Sequence, residues 1–88
     1  MSMTLDSACE LHPQVSIRTE PFGALAYHFG NRKLVFLKHP DVVAVVRDLT
    51  RHPVLADALT AVGVHPDRWP SFVAAIDSLR SSDFIRVH

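Results

Sequence analysis

At 88 residues the chain has room for one domain and one modest core, since a domain of this size buries only roughly 60–70% of its unfolded surface. Hydrophobic residues make up 48% and charged residues 20%, a soluble globular composition that excludes a disordered chain. Nine Lys and Arg balance nine Asp and Glu with no charged block, which argues against a protein that works by neutralising phosphates.

The lone Cys9 excludes an internal disulfide and fits a reducing compartment. No signal-peptide pattern opens the chain, and no apolar run approaches the ~20 residues that span a bilayer. A cytoplasmic location is therefore expected. Residues 1–11 show no period and are expected to be a disordered or frayed lead-in, ended by His12-Pro13. The domain proper is expected over residues 12–88.

Residues 14–18 alternate, with Val15 and Ile17 on one side and Gln14, Ser16 and Arg18 on the other, as in a strand with one wet face. Residues 20–23 are a turn cluster. If Gly30-Asn31 is a two-residue hairpin loop, Phe29 faces Arg32, Tyr27 faces Leu34 and Leu25 faces Phe36. The large apolar residues then share one face, while Ala24 and Ala26 meet Leu37 and Val35 on the reverse. A one-residue slip would scramble this register.

Three helices are expected next. Pro40 and Asp41 start the first, with Val42, Val45, Val46 and Leu49 on one stripe. Pro53 opens the second, with Leu55, Ala58, Leu59 and Val62 on its stripe and Gly63 as the C′ glycine. Asp67 is a suitable N-cap for the third, in which Trp69, Phe72, Val73, Ile76 and Leu79 repeat at helical spacing. Residues 84–87 read as a short closing strand or an apolar tail. The fold class is thus α+β, a three-stranded antiparallel sheet followed by three helices, which also describes a small winged-helix-like domain.

Residues 12–38 resemble the MftB family of mycofactocin-system peptide chaperones, within the wider PqqD-like group of peptide recognition elements. Residues 21–30 and Leu34-Val35-Phe36-Leu37 carry the most specific part of the resemblance, and the later helices match in pattern and length. The resemblance implies a domain without catalysis or cofactors of its own. It implies binding of the leader of a ribosomally made precursor peptide, added as a strand to the third strand in a groove against the third helix. The bound peptide would be presented to a radical S-adenosylmethionine (SAM) maturase.

The residues read alone point the same way. An apolar edge strand is a template for another peptide. One face of residues 33–38 must cover the helical core and the other is free to line a groove. Leu34, Val35, Phe36 and Leu37 supply the strand, Trp69 and Val73 a helical wall, and Arg32, Lys33, Lys38 and Arg80 cations for an acidic leader. Large residues of the hairpin, Leu25, Tyr27 and Phe36, read first as core. For Val35 and Leu37 core and groove stand level, and Trp69 reads as core or staple packing before a binding anchor.

Catalysis finds no support. The six histidines have no metal-ligand spacing, and His12, His39, His52 and His65 sit near prolines at segment ends, where solvated turn residues are expected. Cys9 reads as an inert exposed thiol. No nucleophile triad or phosphate loop is present. The alternative is a winged-helix DNA-binding module, but the third helix offers only Arg68 and Arg80 against Asp67 and Asp77. A homodimer through paired strand edges remains compatible with the sequence.

Overall fold

The structure is a computed structural model and describes residues 4–88; residues 1–3 of the expected lead-in lie outside the described residues. In chain order the elements are β1 (Cys9–Leu11), β2 (Val15–Glu20), β3 (Gly23–His28), β4 (Leu34–Leu37), α1 (Pro40–Asp48), α2 (Leu55–Val62), α3 (Trp69–Ser81) and β5 (Ile85–Val87). The α+β expectation holds, with an antiparallel sheet ordered β2-β3-β4 followed by three helices.

A second sheet is added. β1 pairs antiparallel with β5, Cys9 opposite Val87 and Leu11 opposite Ile85. The lead-in expected to fray is therefore ordered at residues 9–11, because the apolar tail gives it a partner: Phe84 and Ile85 are buried. A three-residue strand is too short to show a period. Residues just before it also work as a cap. Val54 makes no side-chain cap to α2, and the Leu55 and Ala56 amides instead donate to the Ser7 and Leu5 carbonyls at 2.9 and 3.0 Å. Cys9 is buried rather than exposed, and burial pushes its thiol pKa up from the ordinary 9.0.

The hairpin register is the one the residues predict: Ala24 opposite Leu37, Leu25 opposite Phe36, Ala26 opposite Val35 and Tyr27 opposite Leu34. The loop is not the two-residue turn expected. His28 N–H donates to the Lys33 carbonyl and Arg32 N–H to the His28 carbonyl, so residues 29–32 form a wider turn whose left-handed residue is Arg32, at φ 61°. The His28 imidazole explains this. Its Nδ1 accepts from both the Gly30 and Asn31 amides, at 3.0 and 3.1 Å. Gly30 leaves room for this, since a Cβ there would press on Gln14 Oε1 and lie 2.8 Å from the His28 ring. At the other end of the hairpin, Gly23 has φ 149° and a Cβ would meet the Leu37 carbonyl.

The helices follow their predicted stripes. Val45, Val46 and Leu49 are buried, as are Leu55, Ala58 and Leu59, and Phe72, Ile76 and Leu79. Gly63 ends α2 at φ 86°, its N–H donating to the Leu59 and Thr60 carbonyls. Asp67 does not cap α3. A 3-10 turn, Pro66–Arg68, precedes the helix, and His65 Nδ1 accepts the Asp67 amide instead.

The inner face of the β2-β3-β4 sheet is the small one. Ala24, Ala26 and Leu37 are buried, with α1 packed on both β3 and β4, and His28 is buried against His12 and Phe84. The expectation that Leu25, Tyr27 and Phe36 form the core is overturned: Phe36 is 43% exposed, Leu34 60% and Phe29 62%, and Leu25 and Tyr27 are only half-buried. The physical reason is distance. Alanines let the valines of α1 approach the backbone of β3, a close fit that larger side chains would prevent.

Candidate functional site

β4 is an edge strand, and the ladder fixes which of its backbone groups are free. Because His28 N–H donates to the Lys33 carbonyl, that pair and every second one after it, Ala26 with Val35 and Ala24 with Leu37, are the hydrogen-bonded pairs. Leu34 and Phe36 therefore turn their N–H and C=O groups away from β3, toward the open edge. These groups have no hydrogen-bond partner among the described residues. The other edge, β2, is less open. The Arg47 guanidinium of α1 donates to the Ile17 carbonyl at 3.5 Å and to Thr19 Oγ1 at 2.9 Å. Of the two edges, β4 is the one that can accept a further strand.

Side chains around this edge fall into two sets. Val35 is half-buried against the core and Leu37 is buried, whereas Leu34 and Phe36 are exposed. Arg32, Lys33 and Lys38 are exposed at the two ends of the strand and carry no ion pair among the described residues. Lys33 N–H donates to Asn31 Oδ1 at 2.9 Å, which holds the loop at the start of the edge.

The α3 residues are spent differently. Trp69 is half-buried and its indole N–H donates to the Val64 carbonyl at 2.9 Å, a packing anchor between α2 and α3. Val73 is half-buried against the core. Arg80 Nε donates to Asp77 Oδ1 at 2.8 Å, and Arg68 Nη1 to Asp41 Oδ2 at 2.9 Å. A cleft of about 330 Å³ opens where β4 ends, lined by His39, Val42, Arg68, Ser71, Phe72 and Ala75. Trp69, Val73 and Arg80 are not among its lining residues, and Arg80 instead lines a wider hollow of about 860 Å³ with Asp83 and Arg86. Arg68, Ser71, Phe72 and Ala75 recur at i, i+3, i+4 and i+7, so the stripe was readable as a helical face. Nothing in the sequence marked it as the one beside an opening.

His12, one of the histidines expected to be solvated, is instead buried beside His28. His12 and His28 are 7% and 2% exposed, with ring centroids 4.3 Å apart. Their Nε2 atoms lie 3.7 and 3.4 Å from Asp83 Oδ2. Residues 12, 28 and 83 are too far apart in sequence for any motif to reveal this. The donor set has the composition of a metal site, yet the other ring nitrogens oppose one. His12 Nδ1 accepts the Gln14 amide at 3.0 Å and His28 Nδ1 accepts two amides. Metal-ligating histidines donate from the second nitrogen rather than accept there. The Arg86 guanidinium, 3.2 Å from His12 Nε2, adds positive charge at the same spot. The trio brings the α3–β5 turn, where Asp83 sits at φ 67°, against the end of β3, and His28 Nε2 is buried there without a hydrogen-bond partner among the described residues.

Comparison with known proteins shows the family of the chain. The sequence profile of the Peptide chaperone MftB family matches residues 8–86. Three proteins named peptide chaperone MftB are similar to the chain over 91% of its length. That of Mycolicibacterium smegmatis is 48% identical, covered over 78% of its own length. Those of Mycobacterium ulcerans and Mycobacterium tuberculosis are 45% and 42% identical, each covered over 73%. No solved structure matches.

Proposed function

The chain belongs to the peptide chaperone MftB family, a family of chaperones rather than enzymes, and from that membership and the open edge of β4 we propose that it binds a precursor peptide by strand addition. In this reading the leader of a ribosomally made peptide of the mycofactocin type pairs with the outward backbone groups of Leu34 and Phe36. The observation that carries it is the polarity of that strand: the more open of the sheet's two edges, with unpaired cations at both ends. Backbone pairing gives affinity without sequence demand, and pockets for alternate side chains give selectivity.

Arg32, Lys33 and Lys38 would steer an acidic leader, while Leu34, Val35, Phe36 and Leu37 frame the added strand. The chain continuing beyond it would enter the cleft between α1 and α3, passing His39 and Phe72. Trp69 and Val73 would support that wall from their packed positions, while Arg80 would meet only a peptide that reaches the wider hollow. Held this way, the reactive end of the peptide samples a radical SAM maturase intramolecularly, so the chaperone contributes effective concentration and orientation. A micromolar complex needs only about −8 kcal/mol, within reach of a few strand hydrogen bonds and buried side chains after ordering costs. A homodimer by pairing of two β4 edges would compete with the peptide for the same groups. The DNA-binding alternative is not favoured: both arginines flanking and ending α3 are committed to carboxylates. No helix among the described residues is long and apolar enough to cross a membrane.

Calorimetry with the precursor peptide tests the reading through one substitution pair. Phe36→Pro removes an outward N–H and should weaken the peptide about tenfold beyond Phe36→Ala, which keeps it. Equal affinity of the two variants would contradict strand addition at β4.

A further inference from the structure

The outer face of the β2-β3-β4 sheet is an apolar surface that the peptide edge does not use up. Leu25, Tyr27, Phe29, Leu34 and Phe36 share it by alternation, and the Tyr27 and Phe29 rings meet edge to face with centroids 4.9 Å apart. At 62%, 60% and 43% exposure, Phe29, Leu34 and Phe36 leave it open. With the half-buried pair the apolar area is on the order of 300–400 Å², the size at which monomer patches are often functional.

Charge limits what fits there. Arg32 and Lys38 stand around this face, exposed and without ion-pair partners among the described residues, and the one cation set into it, Arg18, is paired with Glu20 at 3.2 Å. A second copy of the chain would bring the same cations against each other. A surface with apolar side chains ringed by carboxylates would satisfy both the face and its rim.

Size then connects the face to the edge. A standard interface buries about 800 Å² per partner, roughly twice this apolar area. A strand added beside Leu34 and Phe36 places every second side chain on this same face. The apolar surface thus grows when the edge is filled.

We propose that the outer sheet face is the docking surface for the peptide-modifying enzyme, which reads it together with the outward side chains of the bound peptide as one composite surface. The inference rests on the strand-addition reading above. Its consequence is coupling: peptide and enzyme each raise the other's affinity by the same factor, because the surface for one is completed by the other.

The experiment is a titration of the radical SAM maturase of the same organism's mycofactocin system into the full chain, with and without saturating precursor peptide, for wild type and for Phe29→Glu. Phe29 lies outside β4 and is exposed, so the variant should unfold at the wild-type temperature and bind the peptide within twofold of wild type. Wild type should bind the enzyme at least fivefold tighter with peptide present, and Phe29→Glu should lose at least tenfold in enzyme affinity. A Tyr27→Ser variant, judged by the same peptide control, guards against a misfolded first variant. Enzyme affinity unchanged in both variants would overturn the proposal while leaving peptide binding intact. A wild-type dimer that Phe29→Glu converts to monomer would also overturn it, assigning the face to self-association. Failure of wild type to bind the peptide at all would instead overturn the strand-addition reading on which the proposal rests.

Discussion

On the inner face of the β2-β3-β4 sheet the hairpin side chains are buried and mostly small, Ala24, Ala26 and Leu37; on the outer face they are large, with Leu25 and Tyr27 half-buried and Leu34 and Phe36 exposed. The two faces come from the same two strands in the same register. Their difference shows that side-chain size does not decide which side of a sheet is core. What decides it is how close the covering element must come, and α1 comes close enough that alanine is the residue that fits. The larger residues are then left for a surface role, next to an edge whose backbone is unpaired.

The largest expected effect is on the inner face. Ala26→Leu should overpack the contact with α1 and destabilise the fold by about 3 kcal/mol, lowering the melting temperature by roughly 12–24 °C. The outer-face counterpart, Leu34→Ser, should change stability by less than about 1 kcal/mol in the same unfolding measurement. Similar losses for both would break the distinction between the faces.

Next in size is a contrast within β4 itself. Val35→Pro removes an N–H that points at β3 and should cost about 2–3 kcal/mol by urea unfolding, since it leaves a ladder carbonyl unpaired. Phe36→Pro should stay within about 1 kcal/mol of wild type, because its N–H points to the open edge. Two neighbouring prolines with equal effects would mean that the ladder polarity assigned here is wrong.

At the outer end of α2, Gly63→Ala should destabilise by about 1 kcal/mol, because alanine must hold a left-handed φ of 86° although no atom crowds it. The smallest effect concerns Cys9. Its thiol pKa is raised by burial, so the unfolded chain ionises first as pH climbs. The stability this contributes is complete below the unfolded thiol value and is lost as pH rises through the folded one. Wild type should therefore weaken above about pH 9 relative to Cys9→Ala, and iodoacetamide should alkylate the native thiol more slowly than the unfolded one.

Much of this was legible in the residues, for reasons that differ by element. Register was readable because Leu25, Tyr27, Leu34 and Phe36 align only one way across the turn. The helices were readable because Val45, Leu59 and Ile76 recur with their neighbours at a period set by backbone geometry. Facing was not, since a two-faced apolar hairpin gives the same pattern whichever side the helices cover. β1 was hidden by its length and by a partner at the far end of the chain. The hairpin loop departed from its expected turn because the His28 side chain competes for the Gly30 and Asn31 amides, an interaction that propensity does not encode. The strand of the candidate site was therefore predictable, while the cleft lined by Phe72 and Ala75 required the packing of α1 against α3.

Amide hydrogen exchange of β4, followed residue by residue with and without the precursor peptide, tests the central claim most directly. Leu34 and Phe36 should exchange fast in the free protein and become protected on saturation, while Val35 and Leu37, already bonded to β3, stay slow in both states. Leu34 and Phe36 amides that remain as fast in the saturated complex as in the free protein would contradict strand addition at this edge.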